Sequence, residues 1–248
     1  MTVLAVDAGN TTVTAGLFRG GRLVAQTRVP TDLKRSAPEL VRWVKTKAAR
    51  TGRPEVVISS VVPRMTPALV LGLQPIASGN PAVVGRQLPV PLTNRYRVPS
   101  QVGADRLVNA WAADRLYGAP AIIVDFGTAV TIDILSKRRE YLGGLIIPGL
   151  ELAVTALTDK AALLPAISLK GPVELLGRDT TRSIRSGGIL GYAALCDGLV
   201  RKLKARHAQG ARVIATGGQA GWVLPYCRQV RIHRPDLTLQ GLFLLKNA

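Results

Sequence analysis

The chain has 248 residues, 47% of them hydrophobic, which suits one large α/β domain or two smaller ones and leaves intrinsic disorder aside. Its 33 lysines and arginines stand against 15 aspartates and glutamates, a formal charge of +18 that attracts nucleic acid, acidic membranes and small anions alike. The basic residues are spread along the whole chain, so nucleic acid is not read as a main partner, and no run of about 18 apolar residues offers a membrane span.

Residues 2–8, TVLAVDA, form an apolar run that ends in Asp7-Ala-Gly-Asn-Thr-Thr, which reads as a strand entering a tight polar turn. This start has no basic n-region and no small-residue cleavage site, so a cytoplasmic location is expected. The apolar pattern resumes at 13–18, breaks at Arg19-Gly20-Gly21 and returns at 23–27, which predicts an antiparallel meander. A helix is predicted over 37–50, with Arg42, Lys45, Lys47 and Arg50 on a solvated face, then a buried strand over 55–62 closed by Pro63. Residues 86–102, rich in proline and polar groups, read as a long loop, and 105–116 as a helix.

AIIVDFGTAVTIDI, residues 121–134, repeats the opening theme of apolar strand, aspartate, glycine and threonine turn, pairing Asp7 with Asp125 and Gly9 with Gly127. Two halves that each open on such a unit imply two similar α/β domains with mixed sheets flanked by helices, 1–117 and 118–248. Residues 141–149 then read as a glycine-punctuated strand leading into a helix at 150–160. A long helix is predicted at 183–203, a strand ending in Thr216-Gly217-Gly218, and a terminal helix in the tail. Cys196 and Cys227, far apart in sequence and without CxxC spacing, read as two thiols of a reducing compartment rather than a metal site. His207 and His233 read as surface or capping residues.

The P-loop pattern and the GxGxxG fingerprint are both missing. Instead each half supplies a carboxylate at a strand end, a glycine and then hydroxyls, a pair of turns suited to clamping β- and γ-phosphates with the aspartates holding cations. Either turn alone is more often a plain hairpin; the two together, each after an apolar strand, point to a nucleotide.

Two such turns with a late Thr-Gly-Gly resemble the ATPase superfamily of actin, hexokinase and the heat-shock chaperones, whose domains are ribonuclease H-like. The likeness sharpens on Asp7-Ala-Gly-Asn10-Thr11, on Tyr96-x-x-Pro99 with Gly103-Ala104-Asp105-Arg106, and on Asp125-Phe-Gly-Thr128-Ala-x-Thr131-x-Asp133. With Leu142-Gly-Gly-x-Ile-x-Pro-Gly149, the whole set resembles the type III pantothenate kinases over nearly the whole chain. The resemblance implies phosphorylation of pantothenate by ATP in the first step towards coenzyme A, by a homodimer that uses Mg2+ and a monovalent cation, K+ or NH4+.

Carried over residue by residue, Asp105 is the base for the pantothenate hydroxyl, and Tyr96, Gly103, Ala104, Arg106 and Thr180 join it as substrate contacts. Asp7, Ala8, Gly9, Asn10, Thr11, Thr12, Val13 and Thr14 form the first phosphate loop, Thr128 touches phosphate, Gly217 and Gly218 lie by adenosine, and Asp125 ligates the monovalent cation. Plainer readings stand beside these: Asp105 as a helix-start residue, Arg106 as a surface arginine, Tyr96 as packing. The family usually has Asn-Thr where this chain has Asp179-Thr180, which makes Thr180 the weakest carry-over. The alternatives are a kinase of the same fold for another small hydroxyl compound, or a nucleic-acid-associated accessory factor without kinase activity.

Overall fold

The computed structural model describes residues 2–48 and 52–248. The chain divides into two compact units, Met1–Leu116 with Asp236–Ala248, and Tyr117–Pro235.

The first unit opens with the expected meander, β1 (Thr2–Ala8), β2 (Thr12–Arg19) and β3 (Arg22–Pro30), each antiparallel to the next. Helix α1 (Ser36–Ala48) follows; Arg50, expected on the same helix, lies outside the described residues. Strand β4 (Glu55–Ser60) lies parallel to β1 on its other side, with Asp7 opposite Ser59 and Ala8 opposite Ser60. A helix not anticipated from the sequence, α2 (Met65–Leu73), packs on α1 so closely that a β-carbon on Gly72 would stand 2.4 Å from that of Ala37. A two-residue strand β5 (Ala82–Val83) extends the sheet, a two-residue strand β6 (Thr93–Asn94) sits in the expected long loop, and α3 (Ala104–Tyr117) ends it. The sheet order is β3-β2-β1-β4-β5.

The second unit repeats this plan. Strands β7 (Ala121–Phe126), β8 (Ala129–Leu135) and β9 (Glu140–Pro148) form an antiparallel meander, followed by α4 (Leu150–Lys160) and α5 (Thr180–His207). Strand β10 (Arg212–Thr216) lies parallel to β7, and α6 (Ala220–Val223) leads to β11 (Ile232–His233), parallel to β10. The strands of this unit run β11-β10-β7-β8-β9, the counterpart of the first order strand for strand. Alternation along β7 and β8 sends Ile122, Val124, Phe126, Val130, Ile132 and Ile134 into one core, against α4 and α5.

The last helix, α7 (Leu237–Lys246), belongs to the first unit, whereas the sequence reading grouped it with residues 118–248. The reason is burial. Leu239, Leu242 and Leu245 join Val3, Ala5, Val57, Val108 and Trp111, and Phe243 stacks on Phe18 with ring centroids 4.6 Å apart. Each buried leucine contributes roughly 1.5–3 kcal/mol, which a contiguous reading of the chain cannot assign to a partner. Lys246 closes the end on Glu55 at 2.6 Å, and Thr238 donates to buried Asn109 of α3 at 2.8 Å.

Helix α5 begins three residues before its expected start, for a reason visible at Asp179. Its carboxylate accepts the Arg182 N–H at 2.8 Å as the N-cap and lies 3.4 Å from the Arg182 Nε. The aspartate that departs from the family pattern is therefore a capping group here.

Two stability outcomes follow. Gly241→Ala places a β-carbon 2.6 Å from the Val108 carbonyl oxygen, and urea unfolding should show a loss of about 1–3 kcal/mol. Asp179→Ala should cost about 1 kcal/mol by the same measurement while Asp179→Asn, which keeps a capping oxygen, costs clearly less; equal losses for the two would deny the cap.

Candidate active site

In the first unit the Asp7 turn closes tightly. The Gly9 N–H donates to the Thr12 carbonyl at 3.0 Å, and Thr31, from the end of β3, donates its hydroxyl to the Gly9 carbonyl at 2.7 Å and its N–H to Thr11 at 3.0 Å. Thr31 carries no signal in the sequence; it is found only because β3 returns beside the turn. Asp7 and Thr14, cross-strand partners, are half-buried, as are Gly9 and Thr12; Ala8 and Val13 are buried, and Asn10 and Thr11 face solvent. Short polar side chains and open amides at a strand end are what an oxyanion requires.

The Gly-Ala-Asp-Arg element is brought to this turn through one residue the sequence reading passed over, Val61. Its N–H donates to the Ala8 carbonyl at 3.1 Å, and a β-carbon on Gly103 would meet its Cγ1 at 3.2 Å. Gly103 also makes room for Asp105: a β-carbon there would lie 2.5 Å from the Asp105 Oδ1. That same oxygen accepts the Arg106 N–H at 2.8 Å, so Asp105 does satisfy the helix start, and its half-buried carboxylate is held in one orientation by doing so. Ala104 is half-buried at the first position of α3.

Arg106 is buried, at 6% exposure, which sets aside the surface-arginine reading. A guanidinium removed from water needs charged or carbonyl partners and binds them strongly. Tyr96 is half-buried, its N–H donating to the Asn94 Oδ1 at 3.0 Å while the Asn94 amide reaches the Pro99 carbonyl at 3.3 Å. Asn94 thus shapes the loop that carries Tyr96, a role no sequence pattern announces.

In the second unit two segments converge on the Asp125 turn. Gly217, at φ +93°, rests on the β7 end so closely that a β-carbon would stand 2.5 Å from the Asp125 Oδ1 and from the Phe126 backbone. Only glycine adopts this conformation readily and leaves that space. Gln219 fastens the same turn, its N–H donating to the Phe126 carbonyl at 3.0 Å, while its side-chain oxygen accepts the Glu151 N–H at the start of α4. On the other side the Gly149 N–H donates to the Thr128 carbonyl at 2.9 Å, and a β-carbon on Gly149 would lie 2.3 Å from that oxygen. Thr128 and Gly218 are exposed.

Behind Asp125, its cross-strand partner Thr131 donates to Asp133 at 3.1 Å, and the hydroxyl of buried Tyr141 donates to the other Asp133 oxygen at 2.7 Å. Asp133 is 1% exposed and held by this network, and Gly144 lets β9 pass it, since a β-carbon there would meet the Ile132 carbonyl at 2.0 Å. Thr180 is exposed in the first turn of α5, next to Asp179 and near the Arg182–Glu174 ion pair.

Among the described residues no group of three or more His, Cys, Asp or Glu is arranged to cage a metal. Each turn supplies one carboxylate, Asp7 or Asp125, with hydroxyls and carbonyls near it. That donor set suits Mg2+, which keeps waters and takes one or two carboxylates together with substrate phosphates. No helix among the described residues is long and apolar enough to cross a membrane.

The family model described as type III pantothenate kinase matches residues 3–202. The chain is 41% identical to the type III pantothenate kinase of Rubrobacter xylanophilus over 98% of its own length and 96% of the relative's. Among solved structures it is similar to a Baf family transcriptional activator from Campylobacter jejuni, at 16% identity and TM-score 0.63, covering 99% of this chain and 98% of that one. It is also similar to the ADPNP-bound activator of 2-hydroxyisocaproyl-CoA dehydratase from Clostridium difficile, at 12% identity and TM-score 0.55, covering 100% of this chain and 95% of that one. At these identities the structures show the fold alone, two mixed-sheet units of the actin-like ATPase type. With its match across nearly all of both sequences, the chain belongs to the type III pantothenate kinase family.

Proposed function

We propose that the protein transfers the γ-phosphoryl group of ATP to the hydroxyl of pantothenate, giving 4′-phosphopantothenate in the first step of coenzyme A biosynthesis. The observation that carries this reading, beyond family membership, is the Asp105 carboxylate folded over Gly103 at the start of α3, tied through Val61 to the Asp7 turn.

Asp105 takes the proton of the pantothenate hydroxyl as its oxygen bonds to the γ-phosphorus and ADP departs. Phosphoryl transfer through a loose transition state asks mainly for positioning and charge neutralisation, so a carboxylate within hydrogen-bond reach of the hydroxyl is an adequate base. The first phosphate loop, residues 7–14, is suited to phosphate oxygens through its turn and hydroxyls, the Thr128 hydroxyl is likewise a phosphate contact, and Gly217 and Gly218 are assigned to the adenosine. Arg106 and the Gly103–Ala104 amides take the polar end of pantothenate, Tyr96 lines its chain, and the Thr180 hydroxyl is a further contact. Mg2+ supplies neutralisation of the developing phosphate charge when bound with ATP, with Asp7 suited to hold it. Asp125 is suited to ligate the monovalent cation, K+ or NH4+.

A homodimer in the cytoplasm completes the proposal. The second unit exposes Ile146, Leu152, Leu157, Leu163, Leu175 and Leu176, of which Leu163 and Leu175 are 94% exposed. Leu163 and Leu175, almost fully exposed, are the apolar side chains proposed to be covered by a second copy of the chain. Sedimentation of the wild type should give twice the chain mass, and Leu163→Asp with Leu175→Asp should shift it to the monomer; a monomeric wild type overturns the dimer.

The activity is tested by ADP release with Mg2+ and K+, with and without pantothenate. Asp105→Asn should lower pantothenate-dependent kcat by about 10²- to 10⁴-fold, with little change in the KM for ATP. Gly103→Ala, which displaces that carboxylate, should lower kcat by about 10- to 100-fold. Turnover that survives Asp105→Asn removes Asp105 as the base. Release of ADP that is independent of pantothenate, or restored by a sugar instead, overturns the substrate.

A further inference from the structure

Cys196 and Cys227 are the two cysteines of the chain, 31 positions apart in sequence, yet the fold packs Cys227 against the core cluster that contains Cys196. Cys196 sits in the middle of α5, 1% exposed, within the core of the second unit. Cys227 follows the short turn Leu224–Tyr226 and is half-buried, packed against the same core. The contact is built in from both sides. Beside Cys196, the Asp197 carboxylate accepts the Arg228 N–H with one oxygen and the Gln229 N–H with the other, each at 2.8 Å. This two-pronged grip pins the residues after Cys227 to α5, and the Cys227 N–H is itself committed to the Leu224 carbonyl at 3.0 Å. Neither backbone segment is left to drift, so the two cysteines are held as neighbours against one core.

We infer that Cys196 and Cys227 form a redox modification site, a peroxide-reactive thiol pair that closes to a reversible disulfide within one chain. The chemistry divides naturally between the two. Cys227 receives the hydrogen bond from Cys196, which lowers its pKa against the opposing effects of burial and of the Asp197 charge; Cys196 is pushed up by donating that bond, by burial and by its neighbours' charge. Cys227 is also the more accessible, and the thiolate is the nucleophile. Its sulfur attacks the peroxide oxygen, the O–O bond breaks, and one water leaves with the second oxygen, leaving Cys227 as a sulfenic acid. The Cys196 sulfur then attacks the sulfenic sulfur, hydroxide departs with the Cys196 proton as a second water, and the S–S bond forms. Two thiols lose two electrons in all, and hydrogen peroxide, the oxidant, is reduced to two waters. A dithiol reverses the bond by exchange.

The position gives the modification a structural effect. The disulfide ties the centre of α5 to the end of the segment that begins with Gly217-Gly218 and continues through α6. A cross-link that closes a loop of this length restricts the unfolded chain and stiffens the segment beyond the Thr-Gly-Gly turn.

The test uses the whole protein, reduced, then exposed to hydrogen peroxide, alkylated and mapped by mass spectrometry. Both thiols should become inaccessible to alkylation, the intact mass should fall by two hydrogens, a peptide joining residue 196 to 227 should appear, and dithiothreitol should restore both thiols. Cys196→Ala should halt at a Cys227 sulfenic acid that dimedone captures, and Cys227→Ser should leave Cys196 reduced under the same treatment. The wild-type map stands by itself if either variant fails to fold. Thiols that remain alkylatable after peroxide, a link between two chains, or dimedone captured at Cys196 in Cys227→Ser would each overturn the pair.

Discussion

The candidate site depends on backbones approaching closer than any β-carbon would permit. Gly217 lies on the Asp125–Phe126 backbone, Gly149 on the Thr128 carbonyl, and Gly103 under the Asp105 carboxylate, each with less than 3 Å to spare for a side chain. Interiors packed at crystal density transmit such contacts as fixed geometry. The carboxylates are therefore positioned by the surrounding main chain rather than by long, mobile side chains, and positioning is what phosphoryl transfer chiefly requires.

The sheets explain why those segments arrive where they do. In each unit the central strand, β1 or β7, has an antiparallel neighbour on one side and a parallel neighbour on the other. The chain leaving the parallel strand must turn at the same edge as the aspartate turn. After β4 that residue is Val61, bonded to Ala8; after β10 it is Gly217, seated on Asp125. Ligands in open α/β sheets bind at the carboxyl ends of strands where the order switches, and both units place their aspartate turns at that switch. One topology, used twice, generates two similar phosphate-type turns.

Charge works differently at short and long range. Across the molecule, +18 raises the local concentration of ATP, of phosphorylated product and of any other anion, without distinguishing among them. Under the proposed function discrimination is assigned to buried groups such as Arg106, where desolvation makes a guanidinium demanding about its partners. The acidic residues, though few, hold specific posts: Asp179 caps α5, Asp197 grips the 228–229 backbone, and Asp133 anchors Thr131 and Tyr141.

By itself the sequence determined the longer strands, the two aspartate turns and the repeat that relates them, because alternation, glycine and short polar residues are local signals. The Asp125 turn and the strand to Gly149 were legible for the same reason, and the Gly103 element through its resemblance to the family. Helix α2 was not, since Pro67 and Gly72 argue against a helix until α1 is there to pack against it. Nor was the home of α7, whose leucines name a buried face without saying whose. Only the tertiary structure decided that Val61 joins the Asp7 turn to Gly103, that Thr31 and Asn94 brace their loops, that Arg106 is buried, and that Cys227 packs against the core of Cys196. Each of these contacts joins residues distant in the chain or depends on how the fold covers them, and a pattern along the sequence carries no information about which distant surface will supply the partner.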